Sequence, residues 1–204
     1  MWYNRKKVKG VSFYGTAAGK SFTYADLLSW EDDARCELIE GEPVMMVPGP
    51  STAHQDILGE LFAQLHAYLK GKRCKAYLPP FDVRLFEEEG DRSRDVDTVV
   101  QPDLIVVCDK SKVDSRGIHG APDLVIEILS PSSWRHDCLV KYNLYQRAGV
   151  KEYWIVDAEK QVVLVHTLDE GQYHAPKAYT ARDTVPVGVL EDCRVDMKTV
   201  FPEE

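Results

Sequence analysis

The run LVIEIL, Leu124 to Leu129, is apolar at every position except Glu127, and its length and β-branched content fit a strand buried on both faces. A carboxylate there loses its hydration, which costs several kcal/mol unless a metal ion, a cation or hydrogen-bond donors compensate. Strand alternation puts Asp123, Val125, Glu127 and Leu129 on one face. Four residues at about 3.3 Å each hold Asp123 roughly 13 Å from Glu127. That is too far for one cation whose oxygens sit at about 2.0–2.6 Å, and a turn former at a strand entrance is the better reading of Asp123. The partner has to come from another strand. Asp103 opens the apolar run DLIVVC, and the 23 residues between it and Glu127 allow a strand, a connection and a return alongside. Two carboxylates meeting at a sheet edge, with the backbone carbonyl of Ile128, make an oxygen-rich site suited to magnesium or manganese.

Such a metal works best beside a cation that positions water or offsets phosphate charge. In HDCLVKYNLYQRAG, residues 136–149, Cys138, Lys141, Tyr142 and Tyr145 fall at i, i+3, i+4 and i+7, so Lys141 lies on or beside the inward stripe of a helix. Asp137 and Tyr145 flank it one turn away on either side. His54 shares a stripe with Ile57, Leu58, Leu61 and Leu65, which turns its ring toward the core. Two readings stand for it: a contact to substrate phosphate or to a ligand, and a satisfied core histidine. Glu37, in strand parity with Ile39, is a candidate accessory acid or an edge-strand charge, and Asp82 and Arg84 are weaker candidates.

These residues need a scaffold. TYADLLSWEDDA predicts a helix over 23–34, and RCELIEGEPVMMVPG a hairpin turning at Glu40-Gly41-Glu42 and ended by Pro48, Gly49 and Pro50. The apolar stripe from Ile57 to Leu69 predicts a long helix capped by Ser51 or Thr52 and closed by Gly71. AYLPPFDVRLF ends in a strand, EEEGDRSRD is a charged loop, and VVQPDLIVVC and PDLVIEILS are strands. After the helix that carries Lys141, KEYWIVD, QVVLVHTL and GQYHAPKAY read as a strand meander. Helices before and after mostly antiparallel strands predict an α/β or α+β fold with a mixed sheet.

The chain has 204 residues, 44% hydrophobic and 28% charged, which fits one domain over 1–204. No stretch reaches the roughly 18–20 apolar residues of a membrane span, so a cytoplasmic protein without membrane contact is expected. A net charge of -8 disfavours a broad non-specific grip on nucleic acid, while RKKVK at 5–9 and KGKRCK at 70–75 remain candidates for a local basic groove or for solvated patches. The five cysteines are thirty or more residues apart, without a CxxC, and read as reduced thiols filling the core.

QPDL, APDLVIEILSPSS, the spacing Asp137, Lys141, Tyr145 and AGVKEYWIVD, with ELIEGEPVMM and PGPSTAH upstream, resemble the putative restriction endonuclease (Uma-type) family over about residues 20–175. That family is a branch of the PD-(D/E)XK nuclease superfamily. The resemblance implies a restriction-endonuclease-like core, a central mixed β-sheet flanked by helices, with Asp103 and Glu127 binding the metal on adjacent strands. The lysine that usually follows the second acid by two residues is Leu129 here. Lys141 is the position matching branches that carry it on the next helix. The implied activity is metal-dependent cleavage of DNA, with Asp103, Glu127, Lys141 and His54 as catalytic residues and magnesium or manganese on Asp103, Glu127 and Ile128. Double-strand cutters often pair two active sites in a homodimer. The Leu129 departure keeps a rival open, a nuclease-fold protein that binds nucleic acid or protein without turnover. A glycosidase with two acids is the weaker third class.

Overall fold

The computed structural model describes residues 21–30, 36–45, 50–129 and 136–201. In chain order it contains α1 (Tyr24–Leu27), β1 (Cys36–Ile39), β2 (Glu42–Met45), α2 (Thr52–Leu69), β3 (Lys75–Tyr77), β4 (Val83–Arg84), β5 (Val99–Val100), β6 (Leu104–Val107), β7 (Val113–Asp114), β8 (Gly117–His119) and β9 (Leu124–Ile128). A π-helical turn, His136–Lys141, runs into α3 (Tyr142–Ala148), and then come β10 (Glu152–Asp157), β11 (Val162–Asp169), β12 (Gln172–Tyr173), β13 (Lys177–Thr180), β14 (Thr184–Pro186), β15 (Arg194–Asp196) and α4 (Met197–Val200).

Two sheets carry the architecture. One runs β2-β1-β5-β4-β8-β7; the larger runs β12-β11-β10-β9-β6-β3, with β13 also on β11. β9 pairs parallel to β10 and antiparallel to β6, so the larger sheet is mixed. Leu124, Ile126 and Ile128 turn one face of β9 toward α2, meeting a cluster that includes Ile57, Leu61, Leu65 and Trp154. Val125 turns the other way, toward Val83, Val100, Ile118 and the α3 residues Leu144 and Tyr145. The face that Glu127 shares is therefore enclosed between the larger sheet and a second layer of sheet and helix. The chain is a mixed α/β fold, as its pattern of elements predicts.

Local signals explain the elements that lie nearest the site. Ser51 caps α2 with its Oγ, which accepts the His54 N–H at 3.2 Å. Glu40 and Gly41 both have positive φ, the conformation of a two-residue hairpin turn, and this fixes the register of β1 on β2. Gly117, at φ 124°, lets the chain pass the Asp82 carbonyl, where a Cβ would collide.

Four expectations need correction. VVQPDLIVVC is not one strand: Gln101, Pro102 and Asp103 interrupt it, and β5 and β6 belong to different sheets, because proline cannot donate to a ladder. GQYHAPKAY forms two short strands separated by a non-strand stretch containing Pro176. The N-terminal helix spans only Tyr24–Leu27 among the described residues; 31–34 lie outside them. The thiol reading fails for Cys74 and Cys108, which are joined by a disulfide, because β3 and β6 pair with Lys75 opposite Val107 and bring the two cysteines face to face. Cys36 and Cys193 are free and buried. The RKKVK segment, Pro48 and Gly49, the connection 130–135 and the side chains of Asp137 and Cys138 lie outside the described residues. Among the described residues, no helix is long and apolar enough to cross a membrane.

Candidate functional site

The site begins where the β6–β9 ladder ends. Leu104 stands opposite Ile126 in the last pair of the ladder, and continuing that register past the strand end would carry Asp103 toward Glu127 and Pro102 toward Ile128. Proline lacks an N–H, which leaves the Ile128 carbonyl without a ladder donor from Pro102. Asp103 takes over the other half of that missing pair: its Oδ2 accepts the Ile128 N–H at 2.8 Å. His54, in the first turn of α2, donates from Nε2 to the same Oδ2 at 3.1 Å. A carboxylate only accepts, so the ring carries its proton on Nε2. His54 Nδ1 is buried without a hydrogen-bond partner among the described residues. Asp103 Oδ1 makes no hydrogen bond to them either, and the side chain keeps 17% exposure. Asp103 is thus oriented through one oxygen and presents the other.

Glu127 is 4% exposed, and its compensation is visible. Its Oε1 accepts from Lys141 Nζ at 2.9 Å and from the Tyr145 hydroxyl at 2.7 Å. Lys141, on the π-helical turn, and Tyr145, one turn further on, face inward, while Leu139 and Val140 face solvent. Burial, together with the Glu127 carboxylate, raises the Tyr145 hydroxyl well above the ordinary tyrosine range, so it remains a proton donor. Lys141 Nζ also lies 2.9 Å from Oε1 of Glu37, a β1 residue as buried as Glu127. The same Glu37 oxygen accepts the Gln101 backbone N–H at 2.8 Å.

Gln101 joins this cluster to a second one. Its side-chain amide donates to Asp82 Oδ1 at 2.8 Å, and Asp82 Oδ2 accepts the Tyr24 hydroxyl at 2.7 Å. Arg84 is fully buried, paired with Glu87 and with Asp114 at 2.6 Å, and lies over the Tyr24 ring. Asp82 thus connects to the cluster through Gln101, and Arg84 lies one step further out, over the Tyr24 ring. Asp123 is held by the Cys108 N–H and by Lys151, both at 2.7 Å, as a turn residue would be.

The structure thus brings Asp103, Glu127, Ile128, His54, Lys141 and Glu37 together. Sequence reasoning singled out neither the hydroxyl of Tyr145 as a donor to Glu127 nor the part played by Gln101. Tyr145 was legible as a neighbour of Lys141 at i+4. The bond from Gln101 to Glu37 left no signal in the residue types, because it is made by the backbone N–H. As a metal centre the donor set is spare: among the described residues no group of three or more His, Cys, Asp or Glu side chains is arranged to hold an ion. By chemical type, two carboxylates plus a carbonyl are donors a hard divalent cation takes, and such a set leaves coordination positions for water, as magnesium prefers. Asp103 Oδ1 is the donor the geometry leaves available.

A solved structure similar to this chain is the crystal structure of "a putative nuclease belonging to DUF820" from Anabaena variabilis ATCC 29413. It is 22% identical, with a TM-score of 0.68, and the match covers 88% of this chain and 97% of that one. At this identity the likeness shows the fold. No curated protein matches. The model of the Uma2 family, described as "Putative restriction endonuclease", matches residues 24–198, which takes in every site residue above, and the chain belongs to that family.

Proposed function

We propose that this chain is a metal-dependent endonuclease that hydrolyses phosphodiester bonds of DNA. The observation that carries the reading is that Asp103 accepts the backbone N–H of Ile128, the residue next to Glu127, while Lys141 is bound to Glu127 from the following helix. Asp103, Glu127 and the Ile128 carbonyl are the residues that would hold magnesium or manganese. The bound metal supplies an activated water and a Lewis acid for the scissile phosphate. His54 orients Asp103 by its Nε2–H, and the Ile128 N–H fixes the same oxygen. The Lys141 ammonium, bound to Glu127 and Glu37, places a positive charge at the buried end of the site that can offset phosphate charge. The Tyr145 hydroxyl holds Glu127 in place. Membership in the Uma2 family supports nucleic acid as the substrate class. Cleavage of both strands is best served by a two-fold dimer of this chain.

The test is incubation of supercoiled plasmid and short duplexes with manganese, magnesium or chelator, for the wild type and for Asp103→Asn, Glu127→Gln and Lys141→Met. Nicking or linearisation that requires metal and falls at least about a hundredfold in each variant is the expected result. If folded wild-type protein binds the duplex and cuts nothing with either metal, the chain is a binding module on a nuclease fold.

A further inference from the structure

Lys141 is shared. Its Nζ stands 2.9 Å from Oε1 of Glu127 and 2.9 Å from Oε1 of Glu37, and all three side chains are at most 5% exposed. The two acids are not equivalent. Glu127 lies on β9 of the larger sheet, next to the Ile128 whose N–H binds Asp103, whereas Glu37 belongs to β1 of the other sheet and is tethered by the Gln101 N–H at 2.8 Å. A divalent cation that binds Glu127 meets an ammonium already seated on that carboxylate, and with so little solvent the two positive charges repel strongly.

We propose that Lys141 is the resident counter-cation of Glu127 and that metal binding is an exchange, in which the lysine leaves Glu127 and stays on Glu37. This rests on the metal-site reading above. Glu37 is then a positioning residue rather than a ligand. It draws the ammonium off Glu127 while keeping it beside the site. Its tether gives it a hold independent of the lysine, because Gln101 lies in the connection between β5 and β6 and not on the helical segment that carries Lys141. Lys141 in turn sets a threshold on metal affinity, since every cation must displace it.

Calorimetric titration of Mn²⁺ into the purified chain reads this without any turnover. Lys141→Met is expected to bind Mn²⁺ about tenfold more tightly or better, the scale of a lost charge-assisted contact. Glu37→Gln leaves Lys141 seated on Glu127 and is expected to weaken Mn²⁺ binding by about threefold to tenfold. In the Lys141→Met background the effect of Glu37→Gln shrinks to within about threefold of no change, because no lysine remains to be held. Unchanged or weaker binding by Lys141→Met overturns the proposal, as does a Glu37→Gln loss equally large in both backgrounds, which would make Glu37 a ligand. Should Lys141→Met fail to fold without metal, Glu37→Gln alone decides: unchanged or tighter Mn²⁺ binding overturns the exchange. If the wild type binds no Mn²⁺, or binding survives Glu127→Gln intact, the metal-site reading itself falls, a result distinct from either of these.

Discussion

Replacing Lys141 by methionine in the metal-free protein tests whether the buried cluster is built as described. Methionine keeps the length and apolar bulk of the lysine stem, so the packing beside Leu144 and Tyr145 is largely preserved and the charge is what disappears. Two carboxylates, Glu37 and Glu127, each no more than 5% exposed, then lose an ammonium that was 2.9 Å away. Removing one partner from a buried ion pair costs about 3–5 kcal/mol. For a chain of 204 residues, at about 2–4 °C per kcal/mol, that corresponds to roughly 6–20 °C in Tm. Urea unfolding monitored by circular dichroism measures the loss directly, and the double variant Lys141→Met/Glu127→Gln apportions it. After Glu127→Gln the side-chain amide oxygen still accepts from the Tyr145 hydroxyl but carries no charge. The double variant should therefore recover about 1–3 kcal/mol relative to the sum of the single losses. A Lys141→Met loss below about 1 kcal/mol is what an exposed pair gives. That result, or strict additivity in the double variant, would refute the buried, shared lysine.

Three further outcomes are expected. His54→Ala should lower Mn²⁺ affinity about tenfold, the usual effect of losing a group that orients a ligand, while Asp123→Asn should leave it unchanged; calorimetry checks both. Burial holds the His166 ring below the ordinary histidine range, and its Nδ1 is unpartnered among the described residues. The folded protein therefore keeps His166 neutral while the unfolded chain protonates near pH 6.5, so this contribution to stability is present above about that pH and is lost as pH falls. His166→Phe, packed among Tyr142, Tyr153 and Tyr173, should flatten the dependence of Tm on pH between about 5 and 7. Finally, the Cys74–Cys108 bridge spans a sequence separation of 34 residues, and reducing it should lower unfolding free energy by about 3–4 kcal/mol. Urea titrations with and without a reducing agent, beside Cys74→Ser, measure that difference.

Residue types and their spacing were enough for the parts of this chain whose physics is local. The apolar stripe from Ile57 to Leu69 and the Ser51 cap specify α2, because helical periodicity and end-capping need only neighbours a turn apart. A lone carboxylate inside LVIEIL announced that Glu127 must have partners, because desolvation of charge has a cost whatever the fold. The identity of those partners was a tertiary matter. That β6 lies against β9 and brings Asp103 to the Ile128 N–H, that Lys141 reaches β1 as well as β9, and that Cys74 meets Cys108 all depend on strand pairings between distant segments. Pairing partners are chosen by the packing of whole faces, which no short window contains. The bond from Gln101 to Glu37 was beyond any reading of residue types, since every residue but proline carries the backbone N–H that makes it, and only the folded chain aims it.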